Sequence, residues 1–115
     1  MQIDLPGPLA GLTSVFRHYE AALVSNQSAV LDELFLNAPQ TVRYGIAENL
    51  YGHDEIRAYR RQRALIGGAG MRRVVREQIS TFGCDLGTTN IEFVRESGLR
   101  GRQSQTWVRT ESGWR

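Results

Sequence analysis

Apolar positions in the first third of the chain recur at three- and four-residue intervals. Leu9, Leu12, Val15, Phe16, Tyr19 and Leu23 fall on one face of a 3.6-residue helix. Pro6 and Pro8 ahead of them predict an extended lead-in, and Asn26 is placed to end this helix and cap a second one. In that second helix Val30, Leu31, Leu34 and Phe35 repeat the pattern until Pro39 stops it, so two short helices are expected to form a hairpin. Thr41–Tyr44 and Glu48–Tyr51 then read as two short strands about a turn at Gly45. Gly52 opens a third helix running through Ile56 and Tyr59 toward Arg63, and Gly67, Gly68 and Gly70 form the loop after it.

From Met71 the period shortens. β-branched and aromatic residues gather in Arg72–Phe82, Thr88–Arg95 and Arg102–Thr110, separated by Gly83, Gly87, Gly98 and Gly101, which predicts an antiparallel meander. The alternation is imperfect. Gln78, Ser80, Glu92, Gln103, Ser104 and Gln105 sit among the apolar positions, as expected if one sheet face lines a partly polar cavity. Gln103, Gln105 and Trp107 share one face of the last strand while Ser104, Thr106 and Val108 share the other, and the pattern leaves open which face is inside. Helices followed by a run of strands, with no internal repeat, predict a single α+β domain over residues 1–115.

Composition narrows the chemistry. The chain has 115 residues, enough for one core, with 41% hydrophobic and 23% charged residues, and no apolar run approaches the roughly 18 residues of a membrane span. The start, MQIDLPGPLAG, lacks the basic and apolar regions of a signal peptide, so a cytoplasmic location is expected. Cys84 stands alone, and no Cys or His cluster has metal-ligand spacing, so no metal or other cofactor is expected. All 14 basic residues are arginine, and with no lysine the chain forms no lysine Schiff base and uses no lysine as a general base. A net charge of +2 invites thoughts of nucleic acid, yet acidic residues are interspersed throughout and no basic block is interleaved with stacking aromatics. Neither nucleic acid nor a membrane is an expected partner.

The segment TVRYGIAENLYG sets Arg43 and Tyr44 among apolar, strand-prone residues. An arginine in such surroundings needs an anion, and two sources compete: an internal carboxylate, Glu20 or Glu48, or the carboxylate of a ligand. Tyr19 shares the apolar helix face, so its hydroxyl bonds either to a backbone carbonyl or to a reacting group. His18 projects about 100° away, toward solvent. His53 opens the third helix, where backbone amides favour anions, and a capping or surface role competes there with substrate binding. Arg57, Arg60, Arg61 and Arg63 read as a solvated helix face from which Arg60 and Arg63 reach a pocket mouth. Tyr44 and Tyr59 read as packing residues.

Three separated blocks, FRHYEAAL at 16–23, TVRYGIAENLYGHDEIRAYR at 41–60 and GRQSQTW at 101–107, resemble the AtzH-like family, which includes oxalurate-catabolism proteins of the HpxZ type, within the NTF2-like (SnoaL-like) superfamily. The resemblance implies a cone in which three N-terminal helices pack in the concave face of a strongly curved antiparallel sheet. It implies a cofactor-free enzyme converting 1,3-dicarboxyurea to allophanate in cyanuric acid or related ureide catabolism, by decarboxylation or by amide hydrolysis, with a functional link to an amidase-signature enzyme. The family's tyrosine on the first helix and arginine in the first short strand map to Tyr19 and Arg43, with Arg60, Arg63, His53, Gln103 and Gln105 as candidate substrate-binding residues. Family members continue past the Gly-Trp-Arg at 113–115 into a last apolar strand. The competing expectation is a non-catalytic binding or assembly subunit that supports the amidase. The apolar strands also predict a homodimer or a dimer of dimers.

Overall fold

The computed structural model describes all of residues 1–115, which divide into two compact units, Met1–Glu20 with Met71–Arg115, and Ala21–Gly70. The elements run in the predicted order: α1 (Pro6–Val24), α2 (Ser28–Leu34), β1 (Val42–Tyr44), β2 (Asn49–Tyr51), α3 (His53–Leu65), β3 (Arg72–Phe82), β4 (Leu86–Arg95) and β5 (Arg100–Thr110), followed by a two-residue β6 (Gly113–Trp114) that the sequence pattern does not announce.

In the first unit the sheet is antiparallel, in the order β3-β4-β5-β6. On β4 the inward side chains are Thr89, Ile91 and Phe93, with Gly87 in the same row. Their partners on β5 are Gln105, Gln103 and Gly101, with Trp107 opposite Gly87, so the face left open by the sequence is the inner one for Gln103, Gln105 and Trp107. On β3 the register shifts between Val74 and Arg76. Arg72 and Val74 face inward before this bulge and Glu77, Ile79 and Thr81 after it, because an extra residue reverses the parity of a two-residue repeat. That reversal explains the imperfect alternation of β3.

Helix α1 begins at Pro6, where an extended lead-in was expected. Both prolines lie in its first turn, where backbone N–H groups have no intrahelical acceptor to lose. Through residue 20 the helix follows the inner face of the sheet. Leu12 and Phe16 are fully buried, each contributing about 1.5–3 kcal/mol by leaving water, and the Leu12 side chain occupies the space above Gly87, where an added Cβ would overlap it. Arg17 pairs with Glu77, and Glu20 pairs with Arg72. His18 is exposed, as predicted. Residues 2–4 run along the far end of β3: Gly83 N–H donates to the Gln2 carbonyl, and Thr81 N–H donates to the Asp4 carboxylate at 2.8 Å. These bonds satisfy edge groups that would otherwise be open.

In the second unit α2 packs on α3, with Leu31, Leu34 and Ile56 buried. Asn26 ends α1 in the left-handed region at φ 59°, but the N-cap of α2 is Gln27, with no side-chain cap bond. Asn26 instead donates from Nδ2 to the Ala64 carbonyl at 3.1 Å. Strands β1 and β2 form a hairpin in which Val42 faces Tyr51 and Arg43 faces Leu50. Tyr44, expected to pack, is exposed and touches the Tyr51 ring edge-on at 6.2 Å. No helix is long and apolar enough to cross a membrane.

The approach of Leu12 to the β4 backbone generates a prediction. Gly87→Val forces side-chain carbons into occupied space and should lower unfolding free energy by ~1–3 kcal/mol in urea titrations, with native far-UV circular dichroism retained. Unchanged stability would show that this contact yields freely.

Candidate functional site

Two polar clusters stand out, one in each unit. The first lies on the inner face of the sheet. Trp107 is buried and meets the Tyr19 ring at 6.2 Å in a near-perpendicular edge arrangement, a favoured aromatic geometry. Its indole N–H donates to Thr89 Oγ1 at 3.1 Å and to Gln105 Oε1 at 3.2 Å, while the Thr89 hydroxyl donates to the same Gln105 oxygen at 2.7 Å. One step along β5, Gln103 Oε1 accepts from Arg72 Nη2 at 3.3 Å. Arg72 is held in turn by Glu20, with Nη2 to Oε2 at 2.6 Å and Nε to Oε1 at 3.2 Å, and its guanidinium lies 4.3 Å from the centre of the Phe93 ring. With only 4% of the Arg72 side chain exposed, this two-point pair is a buried one. Tyr19, Gln103 and Gln105 therefore belong to a single polar layer with Trp107, which shares their face of β5 as expected, with Glu20, which the sequence offered to Arg43, and with Arg72 and Thr89, which the sequence did not single out.

The second cluster is built within the β1–β2 hairpin and α3. Arg43 Nη1 donates to Glu48 Oε1 at 2.7 Å, and the guanidinium sits 4.9 Å from the centre of the Tyr59 ring. Of the two internal carboxylates weighed for Arg43, Glu48 is the partner, and Glu20 belongs to Arg72. The Arg43 hydrogen bond holds the Glu48 carboxyl below its ordinary range, helped by the attraction of the same charge and by bonds from the Tyr59 hydroxyl and Ala47 N–H, against an opposing push from burial. Gly45 makes this possible. The Glu48 carboxylate lies over its Cα, in the volume that any Cβ would fill.

The remaining candidates fall elsewhere in the second unit. Arg60 and Arg63 together line a shallow depression with Asn26, Ser28, Leu31 and Ala64, and Arg60 is buried with its guanidinium 6.0 Å from the centre of the Phe35 ring. The solvated-face expectation therefore fails for Arg60, because a helix face turned toward α2 buries its stem and head together. His53 is the first residue of α3, as expected, but it is buried rather than at the surface, and its Nε2 donates to the Asp32 carbonyl at 2.8 Å. No group of three or more His, Cys, Asp or Glu side chains is arranged to hold a metal ion.

A crystallised protein of unknown function from the DUF3225 family of Pectobacterium atrosepticum is similar to this chain at 44% identity and a TM-score of 0.93, covering 98% of this chain and 88% of its own. A cystatin-like fold protein from Burkholderia xenovorans is similar at 37% identity and 0.90, covering 100% and 90%. An NTF2-like protein of unknown function from Pseudomonas putida, at 12% identity and 0.76 over 93% and 80%, shows the shared fold alone. No curated protein matches the chain. The α+β architecture is thus of the NTF2-like class. The AtzH-like family model matches residues 1–115 throughout, and the chain belongs to the AtzH-like family.

Proposed function

We propose that this protein is a metal-independent enzyme that removes carbon dioxide from an anionic N-carboxylated urea, converting 1,3-dicarboxyurea to allophanate in cyanuric acid or related ureide breakdown. The observation that carries the reading is the state of Arg43: its guanidinium lies against the Tyr59 ring and is held by Glu48 through Nη1, with 21% of the side chain still exposed, so a ligand carboxylate must join or displace Glu48 there. The reaction asks little of the protein. The C–N bond to one carboxylate breaks, its electron pair returns to nitrogen, a proton is delivered there, and carbon dioxide leaves. A cation to orient the carboxylate and a proton donor near nitrogen suffice. Arg43 takes the first role and Tyr19 the second, the roles that family membership suggests for these positions. Should the route be amide hydrolysis, the same two groups would polarise the carbonyl for attack by water.

A second reading is a binding or assembly subunit that supports an amidase-signature partner. It is favoured by the hairpin, whose Tyr44 and Tyr51 are exposed and whose tip residue Ile46 is 98% exposed. Purified protein incubated with dicarboxyurea separates the two: carbon dioxide and allophanate formed without amidase support the enzyme, and activity only with amidase, or none, supports the subunit.

Under the enzymatic reading Tyr19→Phe should fold normally and lose most turnover, since the ring keeps its place against Trp107 and only the hydroxyl goes. Full activity would remove Tyr19 from the mechanism. Arg43→Lys keeps the charge but not the planar fork, and kcat/KM should fall roughly 10- to 100-fold, the equivalent of about 1.5–3 kcal/mol for a charged hydrogen bond, with melting temperature little changed. A lower melting temperature with unaltered kinetics per folded molecule would mark Arg43 as structural.

The Arg43–Glu48 pair also carries a pH signature. Glu48 has a lower pKa folded than its ordinary value of 4.5, so the pair's contribution to stability is present above that value and is lost as pH falls through the lower folded one. Carboxyl-carbon NMR should show Glu48 titrating below 4.5 in the native protein and moving back up in Gly45→Ala, where the added methyl displaces the carboxylate. A native midpoint at or above 4.5 would mean the pair is not formed in solution.

A further inference from the structure

Two glutamines stand two residues apart on the inner face of β5, and each has its carbonyl end committed. Arg72 presents only N–H donors, so the Gln103 oxygen must face it, and the indole N–H of Trp107 imposes the same orientation on Gln105. Thr89 reinforces the second choice by donating its hydroxyl to the same oxygen. Both amides are thereby turned the same way in the chemical sense: oxygen toward fixed protein donors, NH2 toward whatever else shares the inner face. The Gln103 Nε2 is shielded from solvent and has no hydrogen-bond partner, so its desolvation is uncompensated until an acceptor reaches it. Residues i and i+2 of a strand are about 7 Å apart, so the two NH2 groups form a spaced pair of neutral donors beside the Tyr19–Trp107 contact.

We infer that Gln103 and Gln105 form a donor-only subsite that binds an acceptor oxygen of the ligand, either a carboxylate or a urea-type carbonyl, and that Arg72, Thr89 and Trp107 are positioning residues that fix this polarity. The subsite distinguishes groups by hydrogen-bond sense. A carboxylate or ureide carbonyl satisfies the orphaned Nε2, whereas an ammonium or amide NH2 in the same place meets donor with donor. The Glu20–Arg72 pair then acquires a second role: besides neutralising charge, it holds the one donor that forbids Gln103 from flipping. The inference rests on the proposed reading only for the choice of an anionic ureide as ligand, and the polarity of the amides stands without it.

The side-chain NH2 groups are visible directly by proton–nitrogen NMR of the full chain. Titration with malonate, which offers carboxylates alone, and with biuret, which offers neutral urea-type carbonyls, separates the two acceptor sources. A downfield shift of the Gln103 NH2 protons with either probe is expected, with Gln78, exposed on the opposite face of the sheet, unmoved. Gln103→Glu replaces the donor by an acceptor of equal size and should weaken malonate binding roughly tenfold or more. If that variant misfolds, the wild-type titration still decides. No movement of Gln103 with either probe, or movement equal to that of Gln78, overturns the inference. Turnover of dicarboxyurea with Gln103 unmoved would sink the subsite and spare the enzyme, while a clear shift without turnover would do the reverse.

Discussion

The Glu20–Arg72 pair is the constraint on which the first unit depends. It joins residues 52 positions apart, out of solvent, through two hydrogen bonds, and so fixes α1 against the first residue of β3. A buried pair of this kind contributes little net stability compared with apolar residues of the same shape, yet losing one partner costs about 3–5 kcal/mol because the other is left charged and dry. Its value therefore lies in specificity. Only one placement of α1 satisfies both ions, and that placement sets Leu12 over Gly87 and Tyr19 edge-on to Trp107. The aromatic face of Phe93 beneath Arg72 takes up part of the desolvated charge, and Gln103 takes one more of its N–H groups.

The Arg43–Glu48 pair follows a different physical logic. Its partners are five residues apart within one hairpin, so closing it costs little chain entropy, and its geometry is set by the local pairing of Arg43 with Leu50 and by the bare backbone at Gly45. One polar cluster is thus written in local sequence and the other in long-range packing. A change in the sheet register would dismantle the first and leave the second intact.

This difference also decides what could be read from the sequence. The helices, the hairpin about Gly45 and the three long strands were legible because each is a local pattern of period or turn chemistry. Glu20 and Glu48 were named for Arg43 on equal terms, and the partner in the structure is Glu48, within the same hairpin. Arg72 was not legible, since nothing local marks an arginine at the start of a strand as buried. Nor was the inner face of β5, because Gln103 and Gln105 look no more inward than Ser104 until their register with Thr89 and Ile91 is known. The prolines misled for the opposite reason: a local rule about extended chain gave way to another local rule about first helical turns. His53 and Arg60 were expected near solvent because burial of a polar side chain is settled by its neighbours in space, here the Asp32 carbonyl and Phe35.

The bulge at Val75 has a meaning in terms of reading frame. A strand is a two-letter frame, inside and outside, and the single extra residue between Val74 and Arg76 shifts that frame once. Arg72 and Glu77, an even and an odd position, can therefore both meet α1, through Glu20 and Arg17 respectively. Deleting Val75 would set Val74 directly before Arg76 and restore strict alternation, with Val74 still opposite Phe93, Arg76 still opposite Glu92, and Arg72 and Glu77 both still inward. Chain length in β3 is for this reason buffered at the bulge, which takes up one residue without turning either ion-pairing side chain out of the polar layer.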